Sequence, residues 1–239
     1  MRLLTSADGV IMGGRGLESF EDTLFSWGED GPAVSAVLYN LELYNNGERS
    51  GNLEQESHLK GENPHLYMSI DGAKQIVESI SAMLVAMDPE YGAQYAENTE
   101  EAIRELQVLD DRAHEIMATC EGRRVVLMNE ALVYCARDYG LAIAEWIDRE
   151  SGEGLYDDAL RTCIDRMNAA DAEVVLMEKQ APQRLVEALE GAGFSVARLN
   201  ILSTGREGQG FDAYIQAQFE NAEAIKNAFA QADSREDVR

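Results

Sequence analysis

Short β-branched runs alternate with helical periods through the second half of the chain. Val125-Val126-Leu127-Met128 reads as a buried strand, followed by a helix from Ala131 to Tyr139 that Gly140 ends. Leu141 to Ile147 is the next strand, and Leu155 to Ala169 carries apolar positions at helical spacing. Glu173 to Met177 is a third strand, Pro182 opens a helix to about Glu190, and Phe194 to Leu199 is a fourth strand. A glycine-rich loop over Gly205 to Gly210 leads to a last helix from about Phe211 to Ala230. Strand–helix units in series need crossover connections, so this region is expected to form a parallel sheet covered on both faces.

The pattern changes between Pro89 and Cys120, where Tyr91, Tyr95, Ala102, Leu106, Leu109, Ala113 and Ile116 recur three or four residues apart. This predicts one amphipathic helix of about 30 residues, roughly 45 Å long at 1.5 Å per residue, enough to link two lobes. Before it, Val10-Ile11-Met12, a helical period at Leu17, Phe20, Leu24 and Phe25, and then Val34 to Leu41 read as strand, helix and strand. Asn45 to Asn63 reads as an exposed loop, Pro64 to Ile70 as a short extended stretch and Gly72 to Met87 as a helix. The expected architecture is α/β: two lobes with parallel sheets joined by one long linking helix, the N-terminal lobe incomplete. The boundaries are residues 1–88 for the reduced lobe, 89–120 for the helix and 121–239 for the C-terminal lobe.

Charge narrows the classes of partner. The 239 residues hold 44 Asp plus Glu against 20 Lys plus Arg, a formal charge of −24, and such a surface repels phosphate backbones. Nucleic acid is therefore not expected as a partner, whereas cations are attracted. No apolar run reaches the roughly 18 residues of a spanning helix, and the opening residues are too short for a signal peptide. Cys120, Cys135 and Cys163 show no CxxC spacing, so neither a disulfide framework nor a thiolate metal site is indicated.

In an open parallel sheet, ligands bind beyond the carboxyl ends of the strands. That rule selects Asn129 and Glu130, then Asp148 and Glu150, then Glu178, then Asn200 and Ser203, a set of oxygen donors without histidine. Each also reads as a cap of the helix that follows. His65, in Asn63-Pro64-His65-Leu66-Tyr67-Met68, is placed just before a helix, where a side chain can be aimed into a cleft. His58 lies in the polar loop, and His114 follows Asp110 by four residues, the spacing of a surface ion pair. Gly13-Gly14-Arg15-Gly16 follows a strand but lacks both the P-loop lysine and the dinucleotide spacing.

Taken in order, several segments resemble the zinc and manganese group of metal-binding solute-binding proteins of bacterial ABC transporters. Ala7-Asp8-Gly9-Val10-Ile11 with Gly13-Gly14 and Gly16-Leu17-Glu18 is similar to that family's "ADLVI..G..LE" segment, and Asn63-Pro64-His65-Leu66-Tyr67 to its "DPHxW" segment. Val126 to Leu132 with Tyr134 and Tyr139-Gly140-Leu141 resembles "VxxHDAFxYxxxxYGL", Glu178-Lys179-Gln180 an "E.Q" segment, and Leu199-Asn200-Ile201-Leu202 "LDPL". Tyr214, Asn221 and Ala228 resemble the last helix.

The resemblance implies an extracytoplasmic subunit, periplasmic or lipid-anchored. It would bind a divalent metal, zinc or manganese, in the cleft between the lobes and dock on a membrane permease. It aligns His65 with one metal ligand, Asn129 with a second and Asn200 with a third, the last two being neutral amides where the family has charged or imidazole donors. Amides bind first-row cations weakly, so Glu130 and Glu178 are candidate substitutes. By the same comparison the family's first strand and its histidine precede Met1. Two other readings stay open: a degenerate relative that keeps the fold without tight metal binding, and a carboxylate-based hydrolase, against which stands the absence of a nucleophile–base pair. A lobe lacking its opening strand is expected to expose a sheet edge and the apolar faces of Leu17, Phe20 and Leu24, which invites a homodimer.

Overall fold

Gly9–Met12 (β1) and Ala33–Ala36 (β2) pair in parallel, from Gly9 opposite Ala33 to Met12 opposite Ala36, so the chain between them must cross over. In the computed structural model, which describes residues 7–26, 32–45, 61–147, 157–203 and 210–236, the helical part of that crossover is Glu21–Phe25 (α1). Leu24 is buried with Met12 and Ala36, and Val10 and Val34 pack on them. Of the apolar face expected to be exposed, Phe20 is 53% exposed, whereas Leu24 is only 3% exposed because α1 turns it onto the two strands.

The helix expected from Leu17 starts only at Glu21. The residues before it are held otherwise: the Glu18 carboxylate accepts the backbone N–H groups of Gly13 (2.7 Å) and Gly14 (2.9 Å), and Glu21 accepts that of Gly16 (2.6 Å) and the Tyr39 hydroxyl (2.8 Å). Gly14 has φ +82°, and a Cβ there would stand 2.7 Å from that of Ala36, so this turn requires glycine twice over. The strand expected over Val34 to Leu41 is likewise cut short. From Val37 to Asn40 the chain forms a 3₁₀ turn, and the Leu38 N–H donates to the Gly13 carbonyl.

Ile70–Met87 (α2) follows a 3₁₀ turn over Leu66–Met68, which replaces the extended stretch expected there. Gly92–Met117 (α3) is the long helix, preceded by one 3₁₀ turn at Pro89–Tyr91. The chain divides into two compact units, Met1–Tyr67 with Asp71–Leu106 and Met68–Ile70 with Gln107–Arg239, so α3 contributes residues to both.

The second unit contains Arg124–Leu127 (β3), Leu132–Asp138 (α4), Ala142–Trp146 (β4), Asp157–Ala169 (α5), Val174–Glu178 (β5), Gln183–Gly191 (α6), Ser195–Leu199 (β6) and Phe211–Glu236 (α7). Its four strands form one parallel sheet in the order β4-β3-β5-β6, as the strand–helix alternation predicts. β5 is buried along its whole length, as a central strand of a doubly covered sheet must be. Val175 and Met177 pack in one cluster with Leu185, Val186 and Leu189 of α6, Met167 of α5 and Phe194. Helix α7 runs beyond Ala230 because its polar end is anchored. Asp233 pairs with Arg123, which also pairs with Glu173 and stacks over Phe229 at 4.3 Å, and Arg235 donates to the carbonyls of Gly193 and Phe194. Among the described residues, no helix is long and apolar enough to cross a membrane.

The short segment Met68–Ile70 is gripped within this unit. Asp138 accepts the Ile70 N–H at 2.8 Å, Tyr214 donates to the Ser69 carbonyl at 3.3 Å and Gln218 to that of Met68 at 3.4 Å. Beside this grip, His114 Nδ1 faces the Asp110 carbonyl (3.0 Å) and carboxylate (2.9 Å), and Nε2 faces the Asp138 carbonyl (3.2 Å). Partial burial alone would lower its pKa. The acceptors on both nitrogens and the two carboxylates outweigh that and raise it above the ordinary 6.5. The stabilisation from His114 is therefore complete below pH about 6.5 and is lost as pH rises through the higher folded value. The urea midpoint is expected to fall as pH rises through that window, and His114→Gln is expected to flatten this part of the profile.

Candidate functional site

His65 stands in the first unit, in the turn that leads into α2. It is half-buried, and the fully buried Asn63 holds it from two sides. Asn63 Oδ1 accepts the His65 backbone N–H at 3.0 Å and lies 2.9 Å from His65 Nδ1. The ring of Tyr67 lies 5.9 Å away at a tilt, and burial pushes its phenol up to about 12, so at neutral pH it offers no phenolate to a cation.

The turn carrying His65 is packed against α2 at a glycine. A Cβ on Gly72 would collide with the Leu66 carbonyl oxygen and stand 2.7 Å from two carbons of the Leu66 side chain. A backbone carbonyl has no rotamer to escape by, so Gly72→Ala is expected to cost about 1–3 kcal/mol through overpacking. It also moves the residue next to His65. The variant should therefore melt earlier, by calorimetry, than the native chain.

In the second unit the chain enters the sheet at β3, runs outward to β4, then returns to β5 on the other side of β3. The topological switch lies at the carboxyl ends of β3 and β5. Asn129 follows β3, Glu178 ends β5 and Asn200 follows β6, so three selected positions occupy three neighbouring strand ends. Asn129 Oδ1 accepts the Ala131 N–H at 2.9 Å and Asn200 Oδ1 that of Leu202 at 3.0 Å. Both oxygens thus serve as local turn acceptors, the capping reading of these residues. Asn221 of α7 grips Asn200 in turn, accepting its N–H at 2.8 Å and donating to its carbonyl at 3.0 Å. Glu130 is half-buried and Glu178 only 3% exposed.

Other candidates fall away on physical grounds. The amides of Gly13, Gly14 and Gly16 are taken by the chain's own carboxylates and offer no anion cradle. Cys120, Cys135 and Cys163 are buried free thiols, and burial pushes that of Cys135 far up, so it is no thiolate ligand. His114 is engaged with Asp110 and Asp138. His58, Asp148, Glu150 and the 205–209 part of the glycine-rich loop lie outside the described residues. Among the described residues no three His, Cys, Asp or Glu side chains gather in a group able to hold a metal. The donors selected from the sequence are one imidazole and two amides supplemented by carboxylates, a different kind of set.

Sequence reasoning passed over Asn63 and Asn221 as site residues. For Asn63 a signal exists in its position two residues before a histidine and directly before a proline, since Asn oxygens reach the amide two residues on. For Asn221 the sequence places it in the family-like last helix, but its partner Asn200, 21 residues away, leaves no local pattern.

The family described as "ZnuA: Zinc-uptake complex component A periplasmic" matches residues 1–228. The manganese-binding lipoprotein MntA of Halalkalibacterium halodurans is 24% identical over 176 residues, covering 72% of this chain and 58% of that protein. The high-affinity zinc uptake system protein ZnuA of Bacillus subtilis is 27% identical over 172 residues, covering 69% of this chain and 53% of that protein. The chain thus spans just over half the length of these relatives. Among solved structures, FpvC of Pseudomonas aeruginosa in complex with Mn²⁺ has a TM-score of 0.79 at 22% identity, covering 95% of this chain and 82% of that one, which shows a shared fold.

Proposed function

The chain belongs to the family of the periplasmic zinc-uptake component A, and from that premise we propose that it is the solute-binding subunit of an ABC importer for a divalent metal, zinc or manganese. The metal is cargo rather than a resident cofactor, the partner is a membrane permease, and the protein works outside the cytoplasm. Its role is binding and not catalysis. The observation that carries this reading is the family match across residues 1–228, which takes in the family-like segments from Ala7 to Ala228. The relatives named for manganese and for zinc support either metal.

Within this reading His65 is the principal donor, because it is the one imidazole at a family ligand position in this sequence. Asn129 and Asn200 stand at two further ligand positions by resemblance, and Glu130 and Glu178 are the carboxylates able to supplement them. A neutral amide does little to offset the dehydration of a first-row cation, so the affinity should lie in the micromolar range rather than below it. The acidic surface, with a net charge of −24, aids encounter with the cation. The test is equilibrium dialysis of chelator-stripped protein against zinc, manganese and magnesium in turn. One equivalent of zinc or manganese with no magnesium is the expected result. Uptake of none of the three contradicts the proposal.

A further inference from the structure

One atom makes two contacts. Asn63 Oδ1 lies 3.0 Å from the His65 backbone nitrogen and 2.9 Å from His65 Nδ1. The backbone N–H can only donate, so the side-chain atom it meets is the amide oxygen, which fixes the orientation of the Asn63 amide. An amide oxygen can only accept, so the second contact requires a proton on Nδ1. A neutral imidazole carries one proton, and Nε2 is then the nitrogen that bears the lone pair.

The geometry holding this oxygen is built from both sides. Asn63 is completely buried, and its backbone N–H donates to the Tyr44 carbonyl at 2.8 Å. Pro64 has a locked φ and restricts the conformation of Asn63 before it. On the far side, Leu66 is buried and closely approached by Gly72, so the turn cannot slide along the helix start. Imidazoles that bind metals commonly donate their second ring N–H to a fixed oxygen, which sets tautomer and ring direction together.

We propose that Asn63 is the positioning residue of His65: its buried oxygen fixes the Nδ1–H tautomer and the ring orientation, so that Nε2 is the metal donor. This rests on the reading of His65 as the principal donor given above. Asn63 touches no metal itself and acts only through the ring.

The test uses ¹⁵N NMR of the histidine rings in the full metal-free chain, with a His65→Gln spectrum to assign the His65 signals, alongside zinc calorimetry. The native chain is expected to show the Nδ1–H tautomer at His65. Asn63→Ala is expected to lose that preference and to weaken zinc binding about 10- to 100-fold, the cost of removing a supporting partner. Asn63→Asp keeps the acceptor and the shape, so it should retain both tautomer and binding, which guards against a fold failure in the alanine variant. A native Nε2–H tautomer, or an Asn63→Ala variant that still holds Nδ1–H, overturns the proposal. If the tautomers behave as stated but no variant binds zinc, the metal-binding reading fails and the positioning role with it, a result distinct from a wrong tautomer.

Discussion

His65→Ala is expected to weaken zinc binding by at least about a hundredfold, the upper end of what loss of a mere supporting partner costs. In free energy that is roughly 2.8 kcal/mol or more. The size follows from the donor set. The other two aligned positions are amides whose oxygens already accept the N–H groups of Ala131 and Leu202, so they have little to give in compensation. The imidazole is half-buried and its backbone N–H bond to Asn63 survives the substitution, so the metal-free melting temperature should change little. Calorimetry on both proteins, with circular dichroism melts, reads the two effects separately. An unchanged affinity would mean that carboxylates such as Glu130 or Glu178 hold the metal without His65.

The largest stability effect is expected in the second unit, at Leu189→Ala. Leu189 is completely buried in the cluster where α6 meets β5, with Val175, Met177, Leu185 and Phe194 around it. Truncation removes the transfer free energy of three carbons and leaves a cavity that a strand buried on both faces cannot move to fill. The expected cost is about 2–5 kcal/mol. Urea denaturation should show a lower midpoint at an unchanged slope. A loss below about 1 kcal/mol would show that α6 repacks freely, contrary to the tight cluster described.

Much of the fold was legible in the chain because its signals are local. Val125–Met128 and Val174–Met177 are unbroken apolar runs, and the 3.6-residue period of the long helix continues through α3. The errors lie where specific side-chain and backbone pairings override such signals. Glu18 reaches back to the Gly13 and Gly14 amides and delays α1, the Gly13 carbonyl takes the Leu38 N–H and ends β2, and Arg123 holds Asp233 and extends α7. None of these pairings has a periodicity to detect. At the candidate site, His65 could be picked out because residue type and a neighbouring motif agree. The position of Asn63 signals its bond to the His65 amide, but its second contact, with the ring, has no local pattern, since it depends on the backbone turning so that one oxygen meets two atoms of the same histidine.

Anomalous diffraction at the zinc edge, from crystals of this chain grown with zinc, decides whether it carries a divalent metal through His65. The expected result is a peak about 2.0–2.1 Å from His65 Nε2, with Nδ1 still turned to Asn63. A peak on Nδ1, or zinc held elsewhere with none at His65, would contradict it.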